Sequence, residues 1–143
     1  ILASEDIGNA DPRGLTLAVS ATQAVEYVGM PEARIILAQA TTYLATAPKS
    51  NAAYLAVEAA LGDVRAGRIL AVPEHLKNLH LDAVGHDTAD HAYRYPHDFK
   101  DHLVEQRYLP AEKRYYTPTD QGYEETIRKR MERVAALTKR ASP

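Results

Sequence analysis

The 143-residue sequence has no cysteine, no tryptophan and a single phenylalanine. Without cysteine it can build no disulfide scaffold, no zinc–thiolate site and no thiol nucleophile. No apolar run reaches the roughly 18 residues that a membrane-spanning helix needs, so the expected setting is soluble, reducing and cytoplasmic, with no membrane partner. Strand-type alternation is missing. So are the phosphate loop GxxxxGK[ST], the dinucleotide fingerprint GxGxxG and the nucleophile elbow GxSxG. Ser4, Ser20 and Ser50 have no evident base beside them. Charge of one sign is also lacking: the net charge of −2 sets up no global field toward nucleic acid or lipid. Only residues 104–143 are locally basic, with 9 cationic against 6 acidic side chains. No catalytic or metal site follows from these residues.

What the sequence does contain is helix. Asp11-Pro12 places an N-cap before a proline at the first helical position, and Gly29 marks the end, which predicts a helix over 13–28. Leu15, Ala18, Val19, Thr22, Val25 and Val28 form its broad face. Pro31 and Glu32 open a second helix carried by Ile35, Ile36, Ala38, Gln39, Thr42, Tyr43 and Leu44 to Ala47. Ser50 or Asn51 caps a third, which runs to Ala66 and closes at a left-handed Gly67. This third helix carries only Glu58, Asp63 and Arg65 as charged residues and is apolar around most of its circumference, so it should be buried on more than one side. Connections of a few residues make the three helices antiparallel neighbours. A short helix is expected from Val72-Pro73-Glu74-His75-Leu76 to about Leu79. From His80 to about Pro118 the periodicity is lost. A last helix is expected over about 119–139, with Ile127, Met131, Val134 and Leu137 as a narrow seam. Glu124–Arg128 and Glu125–Lys129 would pair along its solvent side. The class is all-α. As a single domain it divides into an entry segment 1–12, a helical core 13–79, an irregular segment 80–118 and a C-terminal helix 119–140.

Two constellations compete with plain structure. All six histidines, His75, His80, His86, His91, His97 and His102, lie among Asp82, Asp87, Asp90, Asp98 and Asp101. HDTADH and PHDFKDH superficially resemble metal-dependent phosphohydrolases, but a metal needs rigidly held ligands, and an irregular stretch broken by Pro96 offers none. Tyr93-Arg94-Tyr95, Arg107-Tyr108 and Lys113-Arg114-Tyr115-Tyr116 interleave rings with cations, as a single-strand binding groove would. The competing reading, which the neighbouring acids favour, is that the tyrosines anchor a long loop.

Read together, SEDIGNADP at 4–12, APKSNAAY at 47–54, DVRAG at 63–67, VPEHL at 72–76, YPHD at 95–98, QRYLP at 106–110 and YYTP at 115–118 resemble the C-terminal domain of the RarA/MgsA family. These are bacterial replication-associated recombination AAA+ ATPases related to Werner helicase-interacting protein. The likeness runs along nearly the whole chain, and Ile1 in first place suits a piece of a longer protein. It implies a helical bundle similar to the clamp-loader collar, with the irregular Tyr/His-rich segment packed over it, that assembles a homotetramer. It also implies an upstream module holding ATP and Mg, and a nucleoid-associated parent that reaches DNA and single-strand-binding protein at damaged forks. GHDTADHA over 85–92 departs from the family by being acidic, which weakens any DNA contact there. The expectation is an oligomerisation domain with no catalytic group, cofactor or metal of its own. Val19, Val25, Ile36, Tyr43, Tyr54, Val57 and Leu61 are the candidate interface or packing residues. An all-α DNA-binding module is the alternative, with Lys49, Arg94, Arg107, Lys113 and Arg114 as candidate DNA contacts beside the basic C-terminal helix.

Overall fold

A computed structural model describes residues 1–68, 70–77, 93–111 and 113–140. Among the described residues four α-helices carry the fold: α1 Arg13–Val28, α2 Ala33–Thr46, α3 Ala52–Arg65 and α4 Glu124–Arg140. A π-type turn at Ala3–Ile7 and a one-turn 3-10 helix at Gly8–Ala10 precede them. Single 3-10 turns occupy Glu74–Leu76, Pro96–Asp98 and Lys100–His102. No strand occurs among the described residues, so the all-α class holds. The chain divides into two compact units, Ile1–Gly62 with Tyr115–Arg130, and Asp63–Arg114 with Met131–Pro143.

In the first unit the punctuation read from sequence works as the chemistry predicts. Asp11 is extended, and its Oδ1 accepts the backbone N–H of Arg13 at 3.2 Å, satisfying a free donor of the first turn of α1. Gly29 ends that helix at φ 72°, donating to the Val25 carbonyl at 2.9 Å. The expected start of α2 at Pro31 moves to Ala33, because Arg34 and Ile35 still make i→i+3 bonds to Pro31 and Glu32. The Ser50 hydroxyl accepts the N–H of Ala52 at 3.2 Å and so caps α3. Ile7, with no exposed surface, lies under α1 at Gly14, where an added Cβ would come within 3.5 Å of the Ile7 and Leu44 side chains. The other buried apolar residues of this unit are Ala3, Ala10, Ala33, Ala40 and Ala52. It is a core of small side chains.

The largest departures from expectation concern α3 and α4. Within this chain α3 is not covered all round. Ala52 is buried and Ala53, Ala56 and Ala60 are half-buried, whereas Tyr54, Leu55, Val57, Leu61 and Val64 are exposed. Alanine lets the neighbouring backbone approach, so the small face turns inward and leaves the bulky one outside. The fourth helix begins at Glu124, not near Thr119. Gly122, at φ 52°, sits so close to Ala10 that an added Cβ would lie 2.2 Å from the Ala10 carbonyl oxygen, which accepts the N–H of Tyr123 at 2.8 Å. That close approach breaks the run of helical dihedrals. The expected Glu125–Lys129 pair forms at 2.6 Å. Glu124 does not join Arg128 on the solvent side: it is fully buried and bonded elsewhere.

In the second unit, the end of α3 is closed by a Schellman arrangement at Gly67, φ 71°. Gly67 donates to Val64 at 3.0 Å and Arg68 to Asp63 at 2.9 Å. The Asp63 side chain then takes Arg68 Nη2 at 2.7 Å on one oxygen and the Lys113 ammonium on the other. The short helix expected after Val72 is a single 3-10 turn that ends at Leu76, with Lys77 already extended. Its expected continuation to Leu79, and the stretch 80–92, lie outside the described residues.

Candidate functional site

Three features of the first unit stand out: a buried carboxylate network, an apolar groove, and bulky apolar side chains that nothing in the unit covers. Glu124 centres the network. Its Oε2 accepts the Ser50 hydroxyl at 2.7 Å, the Thr119 N–H at 2.8 Å and the Thr119 hydroxyl at 2.7 Å, and its Oε1 accepts the Tyr116 hydroxyl at 2.8 Å. Asn9 Nδ2 donates to the same tyrosine oxygen at 3.3 Å. Burial alone would raise this carboxyl, but the hydrogen bonds from Thr119, Ser50 and Tyr116 together outweigh it and hold Glu124 below its ordinary value. Tyr116 is pushed up, by burial first and by its bond to Glu124 as well. The donors are hydroxyls and a backbone amide, and the nearby segments are helix starts and a turn. The arrangement fastens residues 115–130 to the entry of α3.

Asp11 behaves similarly where α1 begins and α2 ends. The Tyr43 hydroxyl donates to its Oδ2 at 2.6 Å and Arg13 Nε to its Oδ1 at 3.2 Å. Burial raises the Asp11 carboxyl, yet these bonds outweigh it and keep it low. Between the two helices runs a groove of about 650 Å³, with Thr16, Leu17, Ser20, Ala21 and Ala24 on one wall and Ile36, Gln39, Ala40 and Tyr43 on the other. Arg13 stands at one end. The groove exists because α1 offers alanine, serine and threonine where larger residues would have filled the contact.

Of the candidate interface residues, Val25, Ile36 and Tyr43 are half-buried, and Ile36 and Tyr43 line the groove. Val19 on α1 and Tyr54, Val57 and Leu61 on α3 are exposed. The three α3 residues recur at spacings of three and four, the pattern of a helical seam. Apart from Ile1, the most exposed large apolar side chains among the described residues were not among the sequence candidates: Tyr27 at 91 %, Met30 at 73 % and Ile35 at 64 %, at or beside the α1–α2 turn. Their only signal in the sequence was large apolar residues crowding a Gly-x-Pro turn, where polar ones are usual.

The candidate DNA contacts separate. Lys49 places its ammonium on the carbonyls of Leu44, Ala45 and Ala47, capping the end of α2. In the second unit, Arg94 lies 4.7 Å over the Phe99 ring and donates to the Glu105 carbonyl at 3.2 Å. Arg107, Lys113 and Arg114 share a groove of about 750 Å³ with Tyr108 and Glu105, the Lys113 ammonium being the one paired with Asp63. The anchoring expected of the tyrosines applies to Tyr115 and Tyr116, which are half-buried, and not to Tyr93, Tyr95 and Tyr108, which are exposed. The His97 and His102 rings meet tilted by 53°, with centroids 4.8 Å apart. Among the described residues no three His, Asp or Glu side chains are grouped to hold a metal ion. His80, His86, His91, Asp82, Asp87 and Asp90 lie outside them.

Comparison with known proteins gives this architecture a context. The model of the MgsA AAA+ ATPase C-terminal family matches residues 1–135. An AAA domain-containing protein of Mycobacterium tuberculosis is 46% identical over 143 residues, 98% of this chain and 32% of its own length. Replication-associated recombination protein A of Bacillus subtilis is 43% identical over 134 residues, 92% of this chain and 32% of its own. The ATPase WRNIP1 of Dictyostelium discoideum is 40% identical over 112 residues, 76% of this chain and 13% of its own. The chain therefore spans about a third of the first two of these relatives and less of the third.

Proposed function

Because the chain belongs to the MgsA AAA+ ATPase C-terminal family, we propose that it is the oligomerisation domain, a homotetramer-forming one, of a DNA-dependent AAA+ ATPase. The parent acts in replication-fork maintenance, recombination and repair, in line with the name of the Bacillus subtilis relative. In this reading ATP and magnesium are bound by a module outside this chain, and DNA and single-strand-binding protein are met by the parent. The chain itself contributes assembly and no catalytic group.

The observation that carries the reading is the exposed apolar seam of α3, with Tyr54 at 41 % and Val57 at 51 % exposure, together with Val19 on α1. Fully burying a side chain of this size is worth about 1.5–3 kcal/mol, so half-exposed residues repeated on three helices leave several kcal/mol per copy available to association. That is the scale needed to offset the entropic cost of forming a complex. A DNA-binding module built on Arg107, Arg114 and Tyr108 has less behind it, since the same groove contains Glu105 and a lysine already paired with Asp63.

Sedimentation velocity of this chain at micromolar concentration tests the proposal. The expected result is a species of about four protomer masses, and the Val57→Glu, Leu61→Glu double variant should be smaller while keeping its helicity. A clean monomer for the unaltered chain across that range would sink it.

A further inference from the structure

The same unit carries a protruding apolar tip and an apolar groove, and nothing within the unit fills one with the other. The tip is the α1–α2 turn, where Tyr27, Val28, Met30 and Ile35 are between half and nine-tenths exposed. Together they present on the order of 500 Å² of mostly apolar surface, the larger part of the roughly 800 Å² per partner that a stable interface buries. The groove is the 650 Å³ channel between α1 and α2, floored by small residues such as Ser20, Ala21 and Ala24.

Charge sets the direction of docking. Glu26 and Glu32 flank the tip against a single Arg34, whereas the one charged residue lining the groove is Arg13, whose side chain is 82% exposed. Its Nε is held by Asp11, which leaves the terminal N–H groups of the guanidinium for an approaching carboxylate. A contact between two tips would bring like charges together, and a contact between two grooves would leave both empty. Tip into groove pairs unlike surfaces and opposite charges.

We infer that the α1–α2 turn of one copy docks into the α1–α2 groove of a second copy. This rests on the self-association reading above and specifies its geometry. The interface is heterologous: each copy uses one surface to give and another to receive, so successive copies follow one rotation and a closing rotation yields a ring. The α3 seam is then free to add contacts within that ring.

Complementation tests the arrangement, because a heterologous interface has two separable halves. A tip variant (Tyr27→Glu with Met30→Glu) and a groove variant (Ser20→Arg) alter exposed positions, and circular dichroism should show both fully helical. Ile35→Glu serves as a second tip variant should the first misfold. Each variant alone should sediment as a monomer, or associate at least ten-fold more weakly than the unaltered chain. A one-to-one mixture should form a heterodimer and stop there, since only one intact tip and one intact groove remain to pair. A tip variant that keeps the unaltered mass, or a mixture no larger than its components, overturns the tip-in-groove arrangement while self-association stands. A monomeric unaltered chain overturns self-association itself.

Discussion

Removing the Glu124 carboxylate is the most demanding test of how this chain is held together. The group has no exposed surface and accepts four hydrogen bonds of 2.7 to 2.8 Å, three on Oε2 and one on Oε1. A hydrogen bond to a charged acceptor contributes about 1.5–3 kcal/mol, and a buried donor left alone costs about 1–3 kcal/mol. Glu124→Ala strands the Thr119 amide and the Ser50, Thr119 and Tyr116 hydroxyls. Rotation of the hydroxyls toward other acceptors recovers part of the loss, so the net cost should be about 3–5 kcal/mol. For a chain of this size that lowers the melting temperature by roughly 10–17 °C. Glu124→Gln keeps the shape and one acceptor. The Tyr116 hydroxyl can turn to accept from the new amide, so the cost should fall to about 1–2 kcal/mol. The pH dependence separates the two contributions. The folded carboxyl sits below its ordinary value, so its stabilisation is fully present above the unfolded value of about 4.3 and disappears as pH falls through the lower folded value. Urea unfolding at fixed protomer concentration, followed by circular dichroism between pH 7 and pH 3, measures all of this. The unaltered chain should lose stability steeply at the acid end, and Glu124→Gln less so. An alanine variant within about 1 kcal/mol of the unaltered chain at pH 7 would refute the network as the fastening of α4.

Two glycine substitutions give sharp contrasts. Gly122→Ala should unfold or severely destabilise the first unit, because its Cβ would lie 2.2 Å from the Ala10 carbonyl, whereas Gly29→Ala meets nothing within 4 Å and should cost about 1–3 kcal/mol for its glycine-type backbone at φ 72°, ψ 174°; thermal melts of the pair decide it, and equal losses would contradict the close approach at Ala10. Gly62 lies inside α3 with nothing within 4 Å of an added Cβ, so Gly62→Ala should stabilise the isolated protomer by about 0.5–1 kcal/mol. If unfolding at dilute protomer shows that gain while sedimentation shows weaker assembly, a partner backbone approaches α3 there; an unchanged assembly places the contact elsewhere.

The sequence determined the helices and their stops. Asp11-Pro12, Gly29, Ser50 and Gly67 act over a few residues, through dihedral preference and capping bonds, and each is found at a boundary it was expected to mark. The exclusions were equally legible, since an absent cysteine or phosphate loop needs no fold to interpret. Tertiary structure alone decided which face of each helix is used. In α3, Ala52, Ala53, Ala56 and Ala60 turn inward and the tyrosine, valines and leucines outward, a choice set by how closely neighbouring backbones approach and not by periodicity. It also decided the role of Glu124. An acidic residue in a first turn suits the helix dipole whether it points to water or inward, and only contacts to Ser50, 74 positions away, and Thr119 settle which. The exposed α1–α2 turn and the open groove between the two helices belong to the same class of observation. Local sequence specifies which side chains are apolar, but whether they are covered depends on what the rest of the chain, or another copy of it, brings against them.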